Sequence, residues 1–414
     1  MKRDPRALQA ALVRLERENL RRVRSTVESF VGGPDSRVLT VALESGAGAP
    51  RRRRLVDFSS NDYLALSRHP GVAAAMAGSA EHWGAGSGAS HLVTGHGSEH
   101  ARLESELAEF TERERALLFS TGYMANLAVV TCLAGRGERV LLDRLSHASL
   151  IDAGLLSGAR FKRYAHADAD AAERALAESP AQAAVVATDG VFSMDGDLAP
   201  LTELARSSRA HGAWLVVDDA HGLGVIGSTG RGSLEHLGLS GEDVPALVGT
   251  LGKAFGSFGA FVAGSSDLIE LLIQKARPYI YTTALPQPVA AATRAALRIA
   301  QRETWRREKV MTLVERFRHA ARQMGVPVAD SGTPIQPVVM GSSAAALRAQ
   351  RELADAGFWV VAIRPPTVPR GSARLRVTLS AAHTDGQVDA LVEALARICR
   401  GRVEADAVVG ADAE

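Results

Sequence analysis

AWLVVDDAHG, residues 213–222, runs through five apolar side chains and closes on two acids and a histidine. A short, continuous apolar run rich in β-branched residues fits a strand buried on both faces, and polar residues directly after it mark its carboxyl end. The same texture recurs at RALLF (115–119), RVLLD (139–143), AAVVAT (183–188), ALVGT (246–250) and GAFVAG (259–264). Helix-length amphipathic stretches at 98–111, 123–134, 168–178 and 198–211 separate most of them. Buried strands alternating with helices predict an α/β fold, with a large, mostly parallel sheet flanked by helices on both faces. In such sheets ligands sit beyond the carboxyl ends of the strands. The residues there are polar: Ser120-Thr121-Gly122, Arg144 to His147, Asp189-Gly190, Asp218 to His221 and Thr250 to Lys253.

Working outward, residues 61–300 form the expected large domain, preceded by an N-terminal helix and connecting segment over 1–60. Leu8, Leu12, Leu15, Leu20 and Val23 fall at roughly helical spacing, which predicts an amphipathic helix within 6–30 that docks on the body. Arg51 to Arg54 lie between the turn residues of 46–50 and an apolar LVDF, and read as a solvated hairpin rather than a phosphate patch. After about residue 300 a basic helical segment (301–324) leads into IQPVVM (335–340), FWVVAI (358–363) and ARLRVTLS (373–380). That pattern predicts a smaller C-terminal α+β domain over 301–400 with an antiparallel sheet. The aperiodic tail 401–414 reads as disordered.

Composition excludes several classes of function. With 414 residues and 46% apolar content the chain can bury a large core. Its 48 basic and 46 acidic side chains leave a formal charge of +2, so no global field draws it to nucleic acid or anionic lipid. Cys132 and Cys399 are far apart and lack metal-ligand spacing; no disulfide framework and no metal are expected, and a reducing cytoplasm suits them. The N-terminus is charged throughout, without the apolar stretch of a secretory signal, and no segment reads as a membrane span.

The polar strand ends carry the chemistry. Lys253, one of five lysines, sits in the glycine-rich TLGKAFGSFG, where a desolvated amine can attack an aldehyde. Asp218 and Asp219 end a strand and point to opposite faces, so one of them can pair with the nitrogen of a pyridine ring and keep it protonated. His221 can reach a phenolic oxygen on such a ring, and His147 offers a flat surface for stacking. Ser120-Thr121-Gly122-Tyr123 opens a helix and so supplies backbone N–H groups and hydroxyls for a phosphate. Thr250 and the Thr282-Thr283 pair can add hydroxyl contacts.

These residues resemble the α-oxoamine synthase family of fold-type I, aspartate-aminotransferase-like enzymes that use pyridoxal 5′-phosphate (PLP). The likeness rests on FSSNDYLALSRHP (58–70), GSGASHLVTG (86–95), LLDRLSHASLIDAG (141–154), TDGVFSMDGDLAPL (188–201), VVDDAHGLGVIGSTGRG (216–232), TLGKAFGSFGA (250–260) and AIRPPTVPRGSARLRVTLSAAH (362–383). The resemblance implies a Schiff base on Lys253, Asp218 rather than Asp219 at the pyridine nitrogen, and His147 stacked on the ring. It implies Ser193 and His221 at the phenolic oxygen, and Gly122, Tyr123 and Thr250 at the phosphate, with Thr282 or Thr283 contributed by a neighbouring subunit of a homodimer. Arg376, with Asn61 nearby, is implied for the amino-acid carboxylate, and Arg21 and Thr367 for the acyl-CoA side. Two positions depart from the family pattern: Asp189 replaces a glutamate, and His91 stands where many relatives carry arginine.

The implied activity is that of a cytoplasmic PLP-dependent acyltransferase. AIRPPTVP is most similar to the biotin-synthesis branch, which condenses L-alanine with pimeloyl-CoA or a pimeloyl-carrier protein and releases CO2. Other branches, such as 2-amino-3-ketobutyrate CoA ligase, 5-aminolevulinate synthase and serine palmitoyltransferase, share the cofactor site and differ in both substrates. Non-catalytic regulatory subunits of this fold typically lack the lysine.

Overall fold

The computed structural model describes residues 4–45, 48–179 and 182–411. They divide into two compact units, one built from Asn61–Ser193 and Asp197–Glu308, the other from the described parts of Met1–Ser60, Met194–Gly196 and Lys309–Glu414.

The larger unit is organised by a seven-stranded sheet. Its strands lie in the order Arg115–Phe119, Ala260–Gly264, Ala246–Thr250, Trp214–Asp218, Ala184–Asp189, Arg139–Asp143 and Arg160–Tyr164. Only Ala260–Gly264 runs against the others, being antiparallel to both its neighbours. The apolar runs make this arrangement because alternate side chains serve two cores. Val140, Leu142 and Val216 pack with the helices Gly122–Leu133 and Ala148–Leu156 on one face. Leu141, Leu215 and Val217 pack with Ala169–Ala177 and Leu201–Ala210 on the other. Each such fully buried aliphatic side chain contributes about 1.5–3 kcal/mol. Because six strands share one direction, the ends at Phe119, Asp143, Asp189, Asp218 and Thr250 all open on the same edge. The parallel register also sets Asp189 directly beside Asp218.

In the smaller unit Ala373–Thr378 lies between Ile335–Gly341 and Val361–Ile363 in a three-stranded antiparallel sheet. A second sheet joins the meander Thr26–Val31, Val38–Ser45 and Gly48–Asp57 to the short parallel strand Phe358–Trp359. Arg51 to Arg54 occupy a hairpin strand as expected, with Arg53 bonded to the Ala354 carbonyl at 3.0 Å; residues 46–47 of its turn lie outside the described residues.

Two expectations need correction. The N-terminal helix covers only Pro5–Arg17, and none of its residues is buried. Asn19 adopts a left-handed conformation (φ 55°) just beyond it, and Val23 belongs to the connection to an extended strand. Residues 26–31, TVESF and a valine, are largely β-branched or aromatic and favour a strand over a longer helix. At the other end, the helix Asp385–Ala411 continues through the segment expected to be disordered. From Arg402 to Val409 no glycine or proline interrupts it, and alanine and glutamate favour helix. Residues 412–414 lie outside the described residues. Among the described residues no helix is long and apolar enough to cross a membrane.

Candidate active site

Lys253 lies three residues past the strand Ala246–Thr250, half-buried, with its Nζ 2.9 Å from His221 Nε2. His221 follows the neighbouring strand Trp214–Asp218 and is buried. Its other nitrogen, Nδ1, is 2.7 Å from the hydroxyl of Tyr63, and that hydroxyl is 3.3 Å from Asn61 Oδ1. A polar chain thus runs from Asn61 through Tyr63 and His221 to the lysine amine.

Asp218 is buried at the same edge. Its Oδ2 accepts from Asn126 Nδ2 at 2.6 Å and its Oδ1 from the Ala220 N–H at 3.0 Å. Asn126 also donates to Ser149 Oγ at 2.8 Å, and Ser149 Oγ lies 2.7 Å from His147 Nδ1. His147, at the start of the helix Ala148–Leu156, anchors its backbone N–H on Asp189 Oδ2 at 2.9 Å. Loss of hydration lowers the His147 pKa, with Asp218 acting in the opposite sense. Burial, followed by the adjacent Asp218 carboxylate, raises that of Asp189 well above the usual carboxylate range. The Asp189 carboxylate reaches the backbone of His147 directly.

Asp219 faces the other way, as strand alternation requires. It accepts from the Ser233 N–H at 2.7 Å, and burial lifts its pKa to about 7. Three glycines make room for it: a Cβ on Gly190, Gly222 or Gly232 would come within 2.5, 2.2 or 1.9 Å of its carboxylate.

The helix Gly122–Leu133 is capped by Thr121, whose hydroxyl accepts from the Met124 N–H at 3.2 Å. A Cβ on Gly122 would meet no atom within 4 Å, so the first turn faces open space. Tyr123 is exposed and its hydroxyl donates to Asp152, while Thr250 Oγ1 donates to the Gly259 carbonyl at 3.2 Å. Ser193 and Thr282 are half-buried and Thr283 is exposed. Arg21, Thr367 and Arg376 belong to the smaller unit. There Arg376 is buried in the central strand, Arg21 pairs with Glu16 at 3.2 Å, and Thr367 Oγ1 accepts from Arg22 at 3.3 Å.

Sequence reasoning missed Tyr63, Asn126 and Ser149. Asn126 left a trace as the single side-chain amide in the apolar helix GYMANLAVVTCL. Tyr63 sits within a quoted motif but gave no sign of its partner.

Residues 53–395 match the family model for class I and II aminotransferases. The 8-amino-7-oxononanoate synthase of Methylococcus capsulatus is 60% identical over 387 residues, covering 94% of this chain and 97% of that protein. Among solved structures, serine palmitoyltransferase from S. paucimobilis with a bound PLP–myriocin aldimine superposes with a TM-score of 0.87 at 29% identity, over 95% of this chain and 97% of that one. The 8-amino-7-oxononanoate synthase of Francisella tularensis does so with a TM-score of 0.74 at 30% identity, over 84% and 99%. A parallel sheet with lysine, acid, histidine and an open helix N-terminus on one edge defines a PLP-dependent enzyme of fold-type I. The chain belongs to the class I and II aminotransferase family and, within it, to the 8-amino-7-oxononanoate synthases.

The residues present fit PLP. The first turn at Gly122 has room for a phosphate, the buried Asp218 is held rigidly by two donors, and the Lys253 amine lies 2.9 Å from the His221 imidazole.

Proposed function

We propose that this enzyme joins Cα of L-alanine to the acyl carbon of a pimeloyl thioester, forming 8-amino-7-oxononanoate with release of CO2 and the free thiol of CoA or a carrier protein, a step of biotin biosynthesis. PLP, when bound, supplies an electron sink for the charge left at Cα. The observation that carries this reading is the Lys253–His221 contact of 2.9 Å on the sheet edge that also holds Asp218, in a chain 60% identical to a synthase of that name.

Lys253 would hold the cofactor through its aldehyde carbon, and its Nζ is the base that takes the proton from alanine Cα and returns one after CO2 leaves. His221, steadied by Tyr63 and Asn61, orients that amine and, with Ser193, bonds the phenolic oxygen. Asp218, its carboxylate held in place by Asn126 and the Ala220 N–H, would pair with the ring nitrogen and keep a proton on it. His147 would stack on the ring and donate a proton to the acyl oxygen. Gly122, Tyr123 and Thr250 bind the phosphate through N–H and hydroxyl groups, with Thr282 or Thr283 from a second copy in a homodimer. Arg376 forms a fork with the alanine carboxylate, with Asn61 close by, and Arg21 and Thr367 line the acyl-CoA side. Cys132 and Cys399, neither of which is in a disulfide, suit a cytoplasmic location.

Assaying the purified holoenzyme with alanine, glycine and serine against pimeloyl-, acetyl- and palmitoyl-CoA tests the reading. Thiol release and product mass should report alanine with pimeloyl-CoA as the preferred pair. A higher kcat/KM for glycine with acetyl-CoA, or for serine with palmitoyl-CoA, would overturn it.

A further inference from the structure

Residues His91–Gly95 form one wide turn, in which the Gly95 N–H bonds the Ser90 carbonyl five residues back at 2.9 Å. Single turns of this kind are rare and frequent at functional sites. His91 and His96 are also five apart, and the turn brings their imidazoles round to the same side with Nδ1 atoms 3.0 Å apart. His100, in the first turn of the helix Ser98–Phe110, completes the group. One nitrogen from each ring lies within 4.8 Å of the other two.

The surroundings aim these rings. His91 stacks on Tyr279 with centroids 4.9 Å apart and planes 13° from parallel. His100 Nε2 donates to the Leu285 carbonyl, and His96 Nε2 lies 3.9 Å from the Glu104 carboxylate. For His100, a carbonyl on the far nitrogen is the arrangement that fixes the tautomer of metal-binding histidines and leaves Nδ1 as the ligand. Burial lowers the pKa of all three, that of His91 to about 3, which disfavours the protonated rings that could not bind a cation. No step of the proposed reaction uses them.

We propose that His91, His96 and His100 form a binding site for a divalent cation of the zinc class, with water as the fourth ligand, departing from the metal-free expectation drawn from the sequence. Two nitrogens bound tetrahedrally at ~2.0–2.1 Å are about 3.3 Å apart, close to the spacing of His91 and His96. Binding exchanges two hydrogen bonds. The proton between the two Nδ1 atoms moves to Nε2 of His91, so the rings bind without net proton release. The Gly97 N–H, now 3.0 Å from His100 Nδ1, gives up that acceptor. The ion ties the wide turn to the helix that follows.

The test uses the full-length holoenzyme, stripped with a chelator and titrated with zinc against a chromogenic competitor. Wild type is expected to hold one zinc per chain, and His96→Ala to bind at least tenfold more weakly. His96→Cys, which supplies a thiolate, should restore the affinity, and His319→Ala, on an exposed helical surface, should leave it unchanged. Cobalt(II) should give the intense visible bands of a tetrahedral site in wild type and lose them in His96→Ala. Zinc should raise the melting temperature of wild type and not of His96→Ala, which separates binding from a folding defect. Substoichiometric zinc in wild type, or affinity and cobalt bands that survive in His96→Ala, overturns the proposal.

Discussion

Lys253 and His221 share one hydrogen bond, and the roles of both follow from what stands behind it. Replacing Lys253 with alanine removes the group proposed to carry the cofactor and the proton, so kcat/KM should fall by at least about 10³-fold, as measured by thiol release. Tyr63→Phe removes a single hydroxyl 2.7 Å from His221 Nδ1. A lost hydrogen bond of about 1–1.5 kcal/mol corresponds to roughly a tenfold fall in kcat/KM. Because Tyr63 acts through His221, the pH profile of kcat/KM should shift in Tyr63→Phe while the affinity for the thioester stays near wild type. An unchanged profile would remove Tyr63 from the polar chain. Local sequence placed Lys253 and His221 just after strands and Asp218 at the end of one, because a polar residue closing an apolar run is a local signal. It had no means of pairing Tyr63 with His221 from 158 positions away.

The elements are held by side chains that close their ends. Arg139 begins a strand, yet its guanidinium is buried and donates to the carbonyls of Ala175, Leu176 and Ser179 at 2.7, 3.1 and 2.8 Å. A cation there satisfies the orphan carbonyls at the C-terminus of the helix Ala169–Ala177 and complements its dipole. Arg139→Met keeps the stem and drops the charge; it should cost about 2–3 kcal/mol, read as a lower urea midpoint with an unchanged slope. Gly232, at φ +89°, faces Asp219 so closely that a Cβ has no place. Gly232→Ala should destabilise by about 1–3 kcal/mol in the same measurement. The apolar runs and their intervening helices were plain in the sequence, since burial on two faces demands continuous hydrophobicity. The N-terminal helix was drawn too long because a few leucines at helical spacing also fit a short helix followed by a strand.

The folded chain as a whole should lose stability in alkali. His166 bonds Asp143 through Nδ1 at 3.0 Å and Asp197 through Nε2 at 2.9 Å, and these two acids, Asp143 first, lift its pKa to about 10. An unfolded histidine titrates near 6.5. The folded state therefore keeps a proton that the unfolded state has shed across that interval, and stability falls with rising pH there. The contribution is complete below about 6.5 and gone above the folded value. Thermal melts should show His166→Gln well below wild type at pH 6 and nearly level with it at pH 10.5; a difference independent of pH would show that His166 is uncharged in the fold.

By itself the sequence determined the α/β class, the smaller antiparallel sheet, and the chain order of helix N-terminus, histidine, acid and lysine along one sheet edge. Hydrophobic period and turn chemistry are written over short windows, and a parallel sheet places successive strand ends together whatever lies between them. Only the tertiary structure decided which partner each of those groups has: Asn126 for Asp218, Ser233 and three glycines for Asp219, and a trio of imidazoles gathered by one wide turn. Those pairings depend on how distant strands and helices come to lie against one another, and no local pattern encodes that.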